Sequence, residues 1–171
     1  PKRDPSVLRW FCPNCQIDNV TSADGGRYDS CYVDYHSTIT LQNGTFIEGG
    51  VNANSEVLTD TFTINSGRKV TIAPGRYDFD EYFITWRGDR SSALSFVGRY
   101  GLGQFYDGYK HSYQIGPTLR LSSRLNTSVT WTRNAVALRT GAYTTDLINS
   151  RVIYSFSTKM FVNALLQYNT D

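Results

Sequence analysis

Long apolar runs are missing from this sequence of 171 residues. None approaches the roughly 20 residues that a membrane-spanning helix needs, and the mean hydropathy of −0.38 agrees, so a helical membrane protein is excluded. Net charge is scarce too: 17 Lys and Arg against 15 Asp and Glu leave +2, no electrostatic case for binding nucleic acid. Only two histidines and three cysteines are present. A zinc site needs four ligands, and only His36 stands near Cys12, Cys15 and Cys31. Helical periodicity is absent as well; the one tempting stretch, 134–138, is too short. No apolar leader opens the chain, which begins Pro1-Lys2-Arg3-Asp4-Pro5 and reads as a mature protein or a fragment.

What is present is alternation. Leu125, Thr127, Val129 and Trp131 interleave with Asn126, Ser128, Thr130 and Thr132. Met160, Val162, Ala164, Leu166 and Tyr168 interleave with Phe161, Asn163, Leu165, Gln167 and Asn169. Successive side chains of a strand point to opposite faces, so each stretch is a strand with an apolar and a more polar side. Nine such strands read near 6–16, 29–42, 45–55, 77–88, 92–103, 108–122, 125–136, 142–156 and 159–170. Short joins, led by the Asn43-Gly44 turn, with 88–91, 122–124 and 157–158, alternate with longer ones at 16–28, 56–76, 103–107 and 137–141. Strands of about ten residues with this dyad repeat and loops of unequal length are the signature of a transmembrane β-barrel. Twelve tyrosines suit its aromatic girdles.

The fold expected is therefore all-β, an antiparallel up-and-down transmembrane barrel occupying 1–171 as one region. Within 56–76, Thr61–Ile64 and Lys69–Ile72 alternate around Ser66-Gly67, an extramembrane hairpin closed by Pro74-Gly75. Closed single-chain bacterial barrels have even strand counts; nine strands point to a piece of a larger barrel, with the remaining strands as partners. Pro117 sits inside a strand and predicts a bulge or an unpaired position.

The lipid-facing set reads Val33, Tyr35, Ile39, Leu41, Ile47, Val51, Tyr82, Ile84, Trp86, Leu94, Phe96, Tyr100, Tyr113, Ile115, Leu119 and Leu121. The inward set carries the charge: Asp34, His36, Glu48, Glu81, Arg87, Arg99, Arg120 and Arg151. Such sorting is expected if one face meets lipid, where a mid-bilayer Arg or Lys costs about 2–4 kcal/mol. The inward signs are mixed, which suits internal salt bridges or a plugged lumen better than the single-sign rings of a selective pore.

Catalytic signatures are lacking. There is no Gly-x-Ser-x-Gly elbow. Gly101-Leu102-Gly103 with Gly108 has the wrong spacing for a dinucleotide fingerprint, and Ser66-Gly67-Arg68-Lys69 is no phosphate loop. Asp34 and His36 make at most an acid–base pair within a polar network, and Asp78, Asp80 and Glu81 lack calcium-loop spacing. No catalytic residue, metal or cofactor is assigned. The cysteines flank the 16–28 join; Cys15–Cys31 would staple its base, leaving Cys12 free, whereas Cys12–Cys15 would close a tight ring across Pro13-Asn14.

The segments Tyr32-Val33-Asp34-Tyr35-His36, Gln42-Asn43-Gly44-Thr45, Ala73-Pro74-Gly75-Arg76-Tyr77-Asp78-Phe79, Gly103-Gln104-Phe105-Tyr106-Asp107-Gly108, Thr144-Thr145-Asp146-Leu147, Tyr154-Ser155-Phe156-Ser157 and Ala164-Leu165-Leu166-Gln167-Tyr168-Asn169 resemble one bacterial family. It is the barrel domain that follows a carbohydrate-binding module of the family-9 type. The resemblance implies a bacterial outer-membrane barrel within a larger parent protein, with carbohydrate reached only through a module this sequence does not contain. Some members are labelled membrane-associated hydrolases, but no catalytic residues carry over. Three readings follow: an outer-membrane barrel segment with a structural, surface-binding or transport-related role, a soluble β-barrel that binds a small ligand on an apolar interior, and a membrane-associated hydrolase.

Overall fold

The computed structural model describes residues 8–21 and 28–170. It is all-β: β1 (Leu8–Thr21), β2 (Tyr28–Leu41), β3 (Phe46–Leu58), β4 (Phe62–Asn65), β5 (Val70–Ile72), β6 (Gly75–Arg87), β7 (Leu94–Phe105), β8 (Gly108–Arg120), β9 (Leu125–Leu138), β10 (Gly141–Ser157) and β11 (Met160–Asn169). Nine strands form one antiparallel sheet in the order β1-β2-β3-β6-β7-β8-β9-β10-β11, and β4–β5 form a separate hairpin. Every neighbour in the large sheet is the next spanning strand in sequence, the meander that period-2 patterning and short turns demand. Among the described residues the sheet is open, with β1 and β11 at its edges.

The register fixes the faces, because directly opposed residues of antiparallel strands share one side. Tyr35 pairs with Val51, Val51 with Tyr82, Tyr82 with Leu102 and Leu102 with His111. The expected lipid-facing residues on these strands fall on that side. Asp34, Asn52, Glu81, Gly103 and Lys110 form the adjacent row, on the other side. One cavity is lined from this second side by residues of β6, β7, β8, β9 and β10. A single sheet encloses such a space only if it curls, so this face is concave and the Tyr35 face is convex.

Join lengths depart from the expected alternation. β7–β8 turns on Tyr106-Asp107 and β9–β10 on Arg139-Thr140 alone, while 88–93 and 121–124 are longer. The strands simply run on into what reads as loop, since Gln104, Ala137 and Ala142 still find ladder partners. Of the 16–28 join, residues 22–27 lie outside the described residues; β1 itself continues to Thr21. The Asn43-Gly44 turn spans 42–45: Gly44 takes φ +83°, Asn43 Oδ1 accepts from Thr45 N at 3.0 Å, and Leu41 N donates to Thr45 O at 2.8 Å. Pro117 pairs with Phe96 of β7, whereas the β8–β9 ladder lapses between Ile115 and Thr118 and resumes without a shift. The missing N–H is thus accommodated as an unpaired position.

The most buried side chains lie on the hairpin. Val70 and Ile72 pack against Val136, Leu138 and Tyr143, with Leu58, Ile64, Tyr77, Phe105 and Tyr106 around them. Thr71 N donates to Thr140 Oγ1 at 3.2 Å, and that hydroxyl donates to Thr71 O at 2.6 Å. The hairpin leaves the sheet between β3 and β6 and crosses the concave face to reach β9 and β10. It is an inward-folded cap rather than a free excursion.

Candidate functional site

All eight expected inward residues belong to rows on the concave face. Asp34 pairs with Asn52 and His36 with Gly50; Glu48 lies opposite Thr85, and Thr85 opposite Arg99. Arg87 is opposite Val97, Arg120 opposite Asn126 and Arg151 opposite Ser128. Along its length the face has a half near the hairpin, where Glu81 and Lys110 are paired, and a half near the 88–93 and 121–124 turns, where arginines gather with Glu48 at the β3 side.

In the hairpin half, His36 Nδ1 lies 3.0 and 3.1 Å from the two Asp34 carboxylate oxygens, an i, i+2 contact along one strand face. Gly50 makes room for it, since a Cβ there would collide with Tyr35 O and His36. Glu81 and Lys110 are two strands apart in one row, with Gly103 between them. Their ion pair closes at 3.0 Å because the intervening strand presents glycines: a Cβ on Gly101 would stand 2.7 Å from Glu81 Oε1, and one on Gly103 would strike Asp80 O. Arg99 donates to Thr85 Oγ1 at 3.0 Å and lies 4.1 Å from the Phe83 ring centre, a cation–π contact. Tyr106, left-handed at φ +51°, donates its hydroxyl to Glu56 Oε2 at 2.6 Å. Burial, then the Glu56 hydrogen bond and charge, push its phenol well above the usual tyrosine range. Among the described residues no hydrogen bond joins the Asp34–His36 pair to a hydroxyl or thiol.

In the turn half, Arg87, Arg90, Arg120 and Arg151 line a cavity of about 590 Å³ with Ser95, Val97, Thr118, Asn126, Thr127, Ser128 and Ile153. No carboxylate is among the lining residues. The mixed signs that suggested internal salt bridges are therefore sorted in space: none of the four expected inward arginines is ion-paired to an expected inward acid, and Glu81 takes Lys110 instead. Arg90 and Lys110 were missed by sequence reasoning. Lys110 was legible from its alternation with Ser112; Arg90 sits in a turn, where a charge reads as solvated.

The cysteine expectation is corrected. All three thiols are free. Cys15 is opposite Tyr35 and Cys31 is opposite Asn19, so the two are offset by about 13 Å along the strands, beyond the roughly 7 Å a bridge tolerates. Cys12 and Cys15 lie on opposite faces of one extended strand, which excludes the shorter ring. Of the acidic trio, Asp78 and Asp80 fall on the convex face and Glu81 on the concave one, so they form no cluster. His111 is on the convex face, its Nδ1 3.1 Å from Tyr100 Oη. Comparison with protein-family models, curated proteins and solved structures finds no match to this chain.

Proposed function

We propose that this chain is wall of a bacterial outer-membrane β-barrel, its convex face against lipid and its concave face lining an aqueous, partly capped interior. The observation that carries the reading is an inverted strand. Along β6, Ile84 and Trp86 are 53% and 42% exposed while Thr85 between them is 7% exposed. A strand that shelters its hydroxyl and displays its large apolar side chains is at odds with water on the displayed side.

The rest of the convex face supports this. Tyr82, Leu102, Tyr113, Ile115, Val129, Ile148, Val152 and Tyr154 extend the exposed apolar surface, far beyond the scattered apolar residues of a soluble monomer. Of its acidic, basic and histidine side chains among the described residues, Arg76, Asp78 and Asp80 lie at the start of β6 and His111 at the start of β8, toward the hairpin end, and Arg133 and Asp146 lie in one cross-strand row with Tyr113, Tyr100 and Ile84. Arg133 and Asp146 neutralise one another at 3.4 Å, and Trp131 Nε1 donates to Asp146 at 2.9 Å, a tryptophan placed as at a membrane interface. The likeness to the barrel domain behind a carbohydrate-binding module agrees. A soluble ligand-binding barrel would place the apolar face inside; here the cavity is lined by the polar one. Among the described residues no hydrogen-bonded catalytic constellation favours the hydrolase reading.

Single-tryptophan variants retaining Trp86, Trp131 or Trp10, reconstituted with brominated acyl chains, test the proposal. Trp86 and Trp131, on the convex face, are expected to be quenched strongly. A chain that stays monodisperse and folded without detergent, or a Trp86 indifferent to bromination, would overturn it.

A further inference from the structure

We infer that the arginine-lined cavity on the concave face is a binding site for a multiply charged oxyanion, of the kind carried by a pyrophosphate or by adjacent phosphate groups. The inference stands on the concave face alone and not on what covers the convex one.

Three arginines reach the cavity from separate strands, Arg87 from β6, Arg120 from β8 and Arg151 from β10, and Arg90 joins them from the β6–β7 turn. A guanidinium cannot shed its proton to relieve crowding. Arg90, Arg120 and Arg151 are exposed and Arg87 is half-buried, so water screens part of their repulsion, but four permanent cations around one open cavity still give it a positive potential that favours an anion. No acid lines the cavity: the described acids in the strands of this face, Asp18, Asp34, Glu48, Glu56 and Glu81, all lie outside the lining. Asp89, in the rim turn, lies close enough to Arg120 for its carboxyl to be held below the usual range in part by that charge. The larger causes are the Ser91 backbone and hydroxyl donors that occupy its oxygens at 2.7 and 2.8 Å.

The site is also built. Arg87 is braced, its guanidinium 4.7 Å from the Phe46 ring centre, so less freedom is lost on binding. Gly116, outside the lining, lets the strands pack closely behind Val97: a Cβ there would come 2.8 Å from Thr130 Oγ1 and 3.0 Å from Val97 Cγ1. Thr118 and Ser128 add hydroxyl donors to the lining. Forked, planar donors with neutral hydroxyls between them match the oxygens of linked phosphates, which arginine engages two at a time. The volume of about 590 Å³ lies in the range of small-molecule sites and exceeds what a single inorganic phosphate fills, so two or more linked anionic groups are the better occupant.

Pyrophosphate is the probe, titrated calorimetrically into the full chain in uncharged detergent at low salt. Saturable binding is expected, weakened about tenfold or more by Arg120→Gln and again by Arg151→Gln, and weakened by added salt. Arg124→Gln, in the adjacent turn but outside the lining, is expected to leave it unchanged. Circular dichroism and tryptic protection of the β4–β5 hairpin establish that each variant is folded. A second arm adds vesicles to the pyrophosphate complex. Displacement by phosphatidate but not by phosphatidylcholine identifies a lipid headgroup as the source of the phosphate, and no displacement by either identifies a soluble one. Absence of pyrophosphate binding at millimolar concentration, or equal weakening by Arg124→Gln and Arg120→Gln, would overturn the inference.

Discussion

Ile72→Ala should release the hairpin while leaving the sheet intact. Ile72 is 0% exposed and Val70 beside it 1%, and both pack on Val136, Leu138 and Tyr143 of the sheet. Truncating a fully buried isoleucine to alanine costs about 2–5 kcal/mol, the lost transfer energy plus the cavity left behind. The hairpin hangs from β3 and β6 and its inner strand touches β10, so that cost falls on docking rather than on the ladders of the nine strands. At about 1.4 kcal/mol per tenfold, the undocking equilibrium should rise by roughly 30-fold to several thousand-fold. The Thr71 amide reports it, because its acceptor is the Thr140 hydroxyl across the docking interface. Hydrogen exchange by mass spectrometry should therefore show faster exchange across 62–72 in the variant, with exchange in β8 and β9 unchanged. Phe62→Ala is the control, since Phe62 is 48% exposed and its loss should shift exchange little. If Ile72→Ala leaves 62–72 as protected as before, or loosens the whole sheet equally, the hairpin is not the separately docked unit described.

Three further outcomes are expected. Ile84→Arg, on the convex face, should cost about 2–4 kcal/mol of bilayer stability by denaturant titration, while Ser112→Arg, on the concave face, should cost much less; equal losses would contradict the assignment of faces. Gly103→Val should prevent folding as judged by strand content, because even its Cβ would meet Asp80 O, whereas Gly67→Val, at an open turn with only Asn65 Oδ1 near at 3.7 Å, should fold. Tyr106→Phe should lose about 1.5–3 kcal/mol, the range for a hydrogen bond to a charged group. Because the Tyr106 pKa is raised on folding, its stabilisation is fully present below the ordinary tyrosine range near 10 and declines as pH rises toward the folded value. A phenolate titration near 295 nm that loses no late-ionising tyrosine in the variant would count against the Glu56 contact.

The strands and their faces were legible because period 2 leaves a half-buried strand no alternative: moving Ile84 inward would move Thr85 and Trp86 with it. Register was not. Cys15 and Cys31 looked able to meet, yet the β1–β2 pairing sets Cys15 against Tyr35, and nothing local to either cysteine encodes that offset. The same gap hid the arginine cavity. Arg87, Arg120 and Arg151 are far apart in sequence, and only the stacking of cross-strand rows brings them to one space. Turn lengths were misjudged where polar residues such as Gln104 continue a ladder. The hairpin's existence was readable in its alternation, but its inward fold depends on Val136, Leu138 and Tyr143, three residues that by themselves look like ordinary strand ends.

The docked hairpin has a mechanical consequence. It springs from one flank of a curled sheet and is fastened on the other, so it acts as a tie beam across an arch. Flattening the arch would pull Thr71 away from Thr140 and expose Val70 and Ile72; tightening it would crowd them. The radius of the curl is thereby held by a chord within this stretch of chain and not by the meeting of β1 with β11. The curvature of the wall from β3 to β10 is thus set from within, by the packing of Val70 and Ile72 on Val136, Leu138 and Tyr143.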